Sequence, residues 1–224
     1  MTDSSKPGRL FVWDIPTRLI HWALAGLFAF SWWSAETDHL PWHRISGDLI
    51  LGLLLFRLSW GVVGSSSSRF SGFVRGPRAI GDYLGGRGYA GPGHNPIGAL
   101  SVVALILVLC VQVGLGLFSV DEDGLEPGPL SKFVDFDFGR KLAHLHHLTF
   151  NILLGLVILH LAAIAFYEIR RKRLILPMLT GRTAGVDGWT DVKRGSPIVA
   201  LVLLAVVAAV TWFVAHGLKL TGAV

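Results

Sequence analysis

The sequence predicts an all-α integral membrane protein, and three observations carry that reading. Of the 224 residues 52% are hydrophobic and only 16% charged, against about 25% charged in an ordinary soluble domain. Mean hydropathy is +0.56. Apolar runs near the roughly 20 residues that a bilayer-crossing helix needs occur at about 15–35, 44–64, 97–120, 142–168 and 197–215.

Taken in order, the first run carries Arg18 and His21 and is too long for a signal-peptide core. WWSAE after it therefore belongs to a retained helix rather than a cleavage site. Asp48 and Arg57 interrupt the second run. The third holds Cys110, the single cysteine, which excludes a disulfide framework and a C-x-x-C-H haem attachment. The fourth carries histidines, and the fifth, PIVALVLLAVVAAVTWFVA, has no charge at all. The chain divides into a transmembrane domain over 1–174, a basic linker over 175–196 and an additional transmembrane helix over 197–216. SSSS at 65–68 reads as a short loop, and no internal repeat is present.

Basic residues set the orientation. Arg69, Arg75, Arg78 and Arg87 follow the second run, and IRRKR, Arg182, Lys193 and Arg194 follow the fourth. The loop after the third run, DEDGLEPGPLSKFVDFDFGR, has six acids against two bases. The N-terminus, the 65–96 loop and the 170–196 segment are thus expected in the cytoplasm, and the 36–43 loop, the acidic 121–140 loop and the C-terminus on the other side. The net charge of +5 reflects this topology rather than a nucleic-acid surface. Trp13, Trp32, Trp33, Trp42, Trp60 and Trp212 fall near span ends, as an interfacial belt would. FSGFVRGPRAIGDYLGG, in the 70–90 loop, reads as an interfacial segment with Arg heads toward lipid phosphates.

The fourth run, KLAHLHHLTFNILLGLVILH, poses a geometric question. His146 and His160 are 14 residues apart, about 1400° of helical rotation, so they share a face about 21 Å apart along the axis. His144 and His147 point roughly 160° and 140° away from His160. Two imidazoles that far apart serve two separate sites. Matching by depth pairs His21 with His160 on the cytoplasmic side and His43 with His146 on the other. Zinc usually takes four ligands, and no thiolate or carboxylate stands beside these pairs. Bis-histidine ligation of two non-covalent haem b groups fits the ligand count and the apolar setting. Gly26, Gly47 and Gly155 would let a flat macrocycle approach the backbone.

These residues resemble the bacterial cytochrome b561 and nickel-iron hydrogenase cytochrome b family, which includes formate dehydrogenase cytochrome b subunits. The resemblance rests on PTRLIHW with His21, on HRISGDLILGLLLFRLSWGVVG with His43, Gly47, Arg57, Trp60 and Gly61, on GHNPIGALSVVALILVLCVQVGLGLF, and on the His146/His160 spacing with Asn151. It covers about residues 10–175. It implies a four-helix di-haem bundle that moves electrons between a periplasmic partner (a cytochrome c, hydrogenase or dehydrogenase subunit) and membrane quinone. The sequence departs from the family pattern at His147, commonly Glu, and at Asp48, often aromatic. The resemblance says nothing of the fifth run.

Other polar residues carry two readings. Arg57 either snorkels toward the cytoplasmic interface or neutralises a haem propionate. His94 and Asn95 are candidate quinone contacts, against the alternative that Asn95 caps a helix ahead of Pro96. His144 and His147 read as interfacial residues, although His147 could hydrogen-bond a propionate. Arg18 reads as a topology anchor, His39 and His216 as surface residues. Asp48 is costly without a partner, and the sequence names none. The acidic 121–137 stretch is a candidate docking surface for a basic protein, and a homodimer is compatible with the sequence. Two rival functions are a stand-alone quinone oxidoreductase using superoxide, which an acidic outer loop disfavours, and a metal-handling protein using the HLHH cluster.

Overall fold

The computed structural model describes residues 8–87, 93–121, 126–185 and 190–219. Its helices are α1 (Ile15–Glu36), α2 (Leu40–Val63), α3 (Phe70–Phe73), α4 (Pro77–Leu84), α5 (Pro96–Phe118), α6 (Phe136–Ile169), α7 (Ile175–Thr180) and α8 (Pro197–Ala215). Local chemistry sets most of the long-helix starts. Asp14, Asn95, Asp135 and Ser196 each accept a hydrogen bond from the backbone N–H three residues on. That satisfies one of the donors a helix N-terminus leaves free. Proline occupies the first turn of α1, α2, α5 and α8, where its missing N–H does no harm.

Four helices, α2, α5, α6 and α8, are long and apolar enough to cross a bilayer. The C-terminal helix is one of them. The helix that falls short of the five expected is α1, whose 22 residues include Arg18, His21 and three tryptophans. It packs along α2, α5 packs along α6, and α8 lies along α2. Ile20, Phe56, Trp60 and Val207 form a buried cluster joining α1, α2 and α8, with Leu24, Leu53, Leu55, Ala200 and Leu203 against it.

A short antiparallel ribbon of β1 (Arg9–Phe11) and β2 (Arg182–Ala184) departs from the all-α expectation. It is held by Gly181, whose carbonyl accepts from Val12 N–H (2.9 Å) and Trp13 N–H (3.2 Å). Gly181 has φ +79°, and a Cβ there would stand 2.7 Å from the Trp13 carbonyl. Only glycine meets both demands. The segment read as a linker is tied down beyond the ribbon. Val192 N–H donates to the Phe11 carbonyl (3.0 Å), and Ser66 N–H donates to the Lys193 carbonyl (3.0 Å). Residues 186–189 of that segment, 88–90 of the 70–90 loop, 122–125 of the acidic loop and 1–7 of the N-terminus lie outside the described residues.

The SSSS loop does more than connect. The Asp14 carboxylate, 4% exposed, accepts from Thr17 N–H and Trp60 Nε1–H, both at 2.9 Å. Ser68 Oγ lies 2.6 Å from Thr17 Oγ1 and 2.7 Å from Ser65 Oγ. This knot fastens α1 to the end of α2, and it corrects the tryptophan belt. Trp32, Trp33, Trp42 and Trp212 are exposed, whereas Trp13 and Trp60 are buried. The Asp14 carboxylate supplies Trp60 with the partner that a buried indole N–H requires.

Candidate functional site

At the end of the bundle away from the ribbon, α2 and α6 bring His43 and His146 together, ring centroids 6.1 Å apart and planes at 87°. Both rings are held from behind. His43 Nδ1 lies 2.9 Å from the Ser31 carbonyl and 3.1 Å from its hydroxyl. A carbonyl only accepts, so Nδ1 carries the hydrogen and Nε2 presents a lone pair. His146 repeats the arrangement on α5: Nδ1–H donates to the Gln112 carbonyl (2.9 Å), and Nε2 accepts from the Gln112 side-chain amide (3.0 Å). Gly116 makes the approach feasible, since a Cβ there would lie 3.0 Å from His146 Cε1.

The two rings open on a cavity of about 890 Å³, walled by Phe28, Gly47, Gln112 and Phe150 among others. That is within the roughly 300–1,000 Å³ typical of cofactor and ligand sites. A Cβ on Gly47 would meet nothing within 4 Å, so the wall beside His43 stands back. Gln112 Oε1 is buried without a partner, a condition that costs about 1–3 kcal/mol unless another group satisfies it. A free His43 Nε2 lone pair, a His146 Nε2 whose only partner is the Gln112 side-chain amide, and a cavity between helices beside both rings fit a flat prosthetic group ligated from both sides once that amide turns away. His144 and His147 are exposed and line the same cavity with Arg140. Among the described residues no three His, Cys, Asp or Glu side chains gather as a metal site, which removes support from the HLHH reading. Asp48 also lines this cavity, and its electrostatic partners are Arg44 and His216.

At the ribbon end, His21 of α1 and His160 of α6 lie within electrostatic reach of each other, and His94 interacts with both and with Arg57. His21 Nδ1 and His94 Nδ1 are each buried without a hydrogen-bond partner. The His94 ring packs on Trp13 (4.7 Å) and Phe73 (4.8 Å). Burial foremost, then Arg57, His160 and His21, pushes its pKa down to about 3, so it is neutral at pH 7. Arg57 does not snorkel. It is 8% exposed, donates to the Ser68 carbonyl (3.4 Å) and lies over the Phe70 ring at 4.9 Å. Asn95 is a helix cap, accepting from Gly98 N–H at 2.7 Å. Its amide also donates to the Tyr167 hydroxyl (3.3 Å), which lies 3.0 Å from that of Tyr83.

Ser31, Gln112 and Gly116 were not legible as site residues. Gln112 left one signal, as the only amide side chain in α5; a strongly polar group inside a membrane span is a functional candidate by default.

Comparison with curated proteins and with solved structures found no match. The family model described as prokaryotic cytochrome b561 matches residues 12–181, a stretch that contains His21, His43, His146 and His160 and ends before α8. With most of its length matched, its membrane helices and its facing imidazoles, the chain belongs to the prokaryotic cytochrome b561 family, membrane proteins of electron transport that carry b-type haem.

Proposed function

We propose that the chain holds two b-type haems, one between His43 and His146 and one between His21 and His160, and passes electrons between a redox protein at the far end and quinone at the ribbon end. The observation that carries this reading is the matched pair of Nδ1–H···O=C hydrogen bonds behind His43 and His146 across one open cavity. Such bonds are the usual support of a metal-ligating imidazole. Haem held there by His43 and His146 would supply a one-electron carrier, which suits electron transfer and not oxygen chemistry.

The chain's own groups do the rest. The Ser31 and Gln112 carbonyls fix the tautomer and plane of each far-end ring. Phe28 and Phe150, stacked at 6.1 Å, line the cavity with apolar surface. At the ribbon end Arg57 offers positive charge to a propionate, and His94 offers a polar ring atom to a quinone carbonyl, with Asn95 fixing the start of α5 beside it. In this reading α1 crosses the membrane as a fifth span, because His21 must reach the depth of His160. The basic ribbon end with the N-terminus lies in the cytoplasm, and the acidic end faces the periplasm of a bacterial inner membrane.

The far end is where a cytochrome c, hydrogenase or dehydrogenase subunit would dock, so the chain serves as a subunit of a redox system rather than an independent catalyst. Glu36, Asp38 and Glu126 at the cavity wall disfavour an anionic oxidant such as superoxide. The test is the haem-to-polypeptide ratio of purified protein with a reduced-minus-oxidised spectrum. A ratio of two and a low-spin b-type signal are expected; colourless protein after haem-replete expression would overturn the reading.

A further inference from the structure

Helix α6 ends in an unbroken basic turn. Arg170, Arg171, Lys172 and Arg173 are all exposed, and the one carboxylate within residues 165–175 is Glu168. The backbone occupies that carboxylate: Glu168 Oε1 accepts from Leu174 N–H (2.7 Å) and Ile175 N–H (2.9 Å), which starts α7. Glu168 also reaches Arg173 electrostatically, but among the described residues none of the four cations forms an ion pair. Two of their heads lean on rings of the preceding turn, Arg170 over Phe166 (5.2 Å) and Lys172 over Tyr167 (5.7 Å). Arg171 has φ +59°, at a position that helix ends usually give to glycine. A cation therefore stands where the backbone would be easier without one.

The apolar half of the same surface follows directly. In α7, Ile175, Leu176 and Leu179 are exposed while Pro177 is buried. Two side chains one turn apart on α1 hold the last carbonyls of α7 against the bundle. Arg18 donates to the Leu179 carbonyl, and Trp22 Nε1–H donates to that of Met178 (3.3 Å). The fold thus fixes four cations beside an apolar helix face that the described residues leave uncovered. At 34 residues, α6 is about 51 Å long against about 30 Å of hydrocarbon, long enough to carry its basic end out to the headgroups.

We propose that this surface binds an anionic phospholipid, its phosphate on the basic turn at Arg171 and Lys172 and its acyl chains along the exposed face of α7. Charge complementarity selects an anionic over a zwitterionic lipid, because each juxtamembrane cation adds its own attraction to anionic headgroups. The adjoining apolar face selects a lipid over free phosphate or an acidic protein, neither of which would cover Ile175, Leu176 and Leu179.

The proposal stands apart from the haem reading and is tested on the full chain, purified in a neutral detergent and freed of lipid. Phosphatidylglycerol titrated in mixed micelles should raise the melting temperature, and phosphatidylcholine should not. Arg171→Gln/Lys172→Gln should weaken the phosphatidylglycerol response on the order of tenfold, the scale expected from losing two such cations. Arg75→Gln/Arg78→Gln, which removes two exposed cations elsewhere, should leave it unchanged. Arg171→Lys/Lys172→Arg keeps both charges and should bind as the original chain does, which separates lost binding from lost folding. An equal response to both lipids, or an equal loss in both charge-removing variants, overturns the proposal. So does a response to inorganic phosphate or to an octaglutamate peptide as strong as that to phosphatidylglycerol. The first would make the surface an ion site, the second a protein-docking one.

Discussion

The two ends of the bundle solve one ligand problem in different ways. At the far end both imidazoles are locked by backbone carbonyls at 2.9 Å, with Gly116 clearing room and acidic side chains around the cavity. At the ribbon end His21 Nδ1 is sealed without a partner, and the Arg57 guanidinium there interacts with the buried Asp14 carboxylate. Backbone carbonyls cannot be lost by mutation and set ring orientation before any ligand arrives. On the function proposed above, the ribbon-end rings would take their final orientation from the group they bind. Carbonyl-supported ligands are also more basic and stabilise an oxidised metal. If the two-haem reading proposed above holds, the far-end haem should have the lower potential.

The comparison can be broken most severely by removing ligands. His146→Ala should remove the far-end haem and leave one haem per chain; His160→Ala should remove the ribbon-end haem and, with it, reduction by quinol. Pyridine haemochrome and stopped-flow spectra read both. If either variant lost both haems equally, the two ends would not be independent sites.

A smaller effect sharpens the distinction in support. Gly116→Ala places a methyl group 3.0 Å from His146 Cε1 and should weaken far-end haem binding by about 10–100-fold, the usual cost of disturbing a ligand's outer support. Gly114→Ala on the same helix, where a Cβ meets nothing within 4 Å, serves as the control in protein stripped of haem. Equal sensitivity of the two positions in haem titrations would contradict the asymmetry.

A third effect belongs to the ribbon end alone. Burial holds the His94 pKa at about 3, below its ordinary 6.5, so the folded protein binds fewer protons than the unfolded chain between those values. Stability should therefore fall as pH drops from about 6.5 toward 3. His94→Phe, which keeps an aromatic ring between Trp13 and Phe73, should flatten that slope in thermal melts at pH 7 and pH 5. The smallest effect is expected from His147→Ala, whose exposed ring lies 6.4 Å from that of His146: both haems should remain.

Much of this was open to reading because a bilayer punishes polar groups. Span positions, the odd acidic loop and the depth of each histidine follow from which residues hydrocarbon tolerates. The 3.6-residue turn then selects His146, not His144 or His147, as the partner of His160 on one stripe. Other features carried no one-dimensional trace. Arg57 carried two readings, a snorkelling anchor or a propionate contact, and its buried place beneath Ser68, where the SSSS loop folds back over it, excludes the first. Trp13 and Trp60 looked interfacial, yet Asp14 and His94 claim them from distant parts of the chain.

By itself the sequence determined the solvent, the helical class and the face that His146 and His160 share on one helix, because hydropathy and helical periodicity are local properties. Only the tertiary structure decided what stands behind each ring. Ser31, Gln112 and Gly116 are separated from the histidines they serve by up to 34 residues. The electrostatic interaction of Asp48 with His216 likewise joins positions more than a hundred and sixty apart. A carbonyl behind an imidazole is a backbone atom common to every residue, so no side-chain pattern could have announced it; helix register alone brings it there.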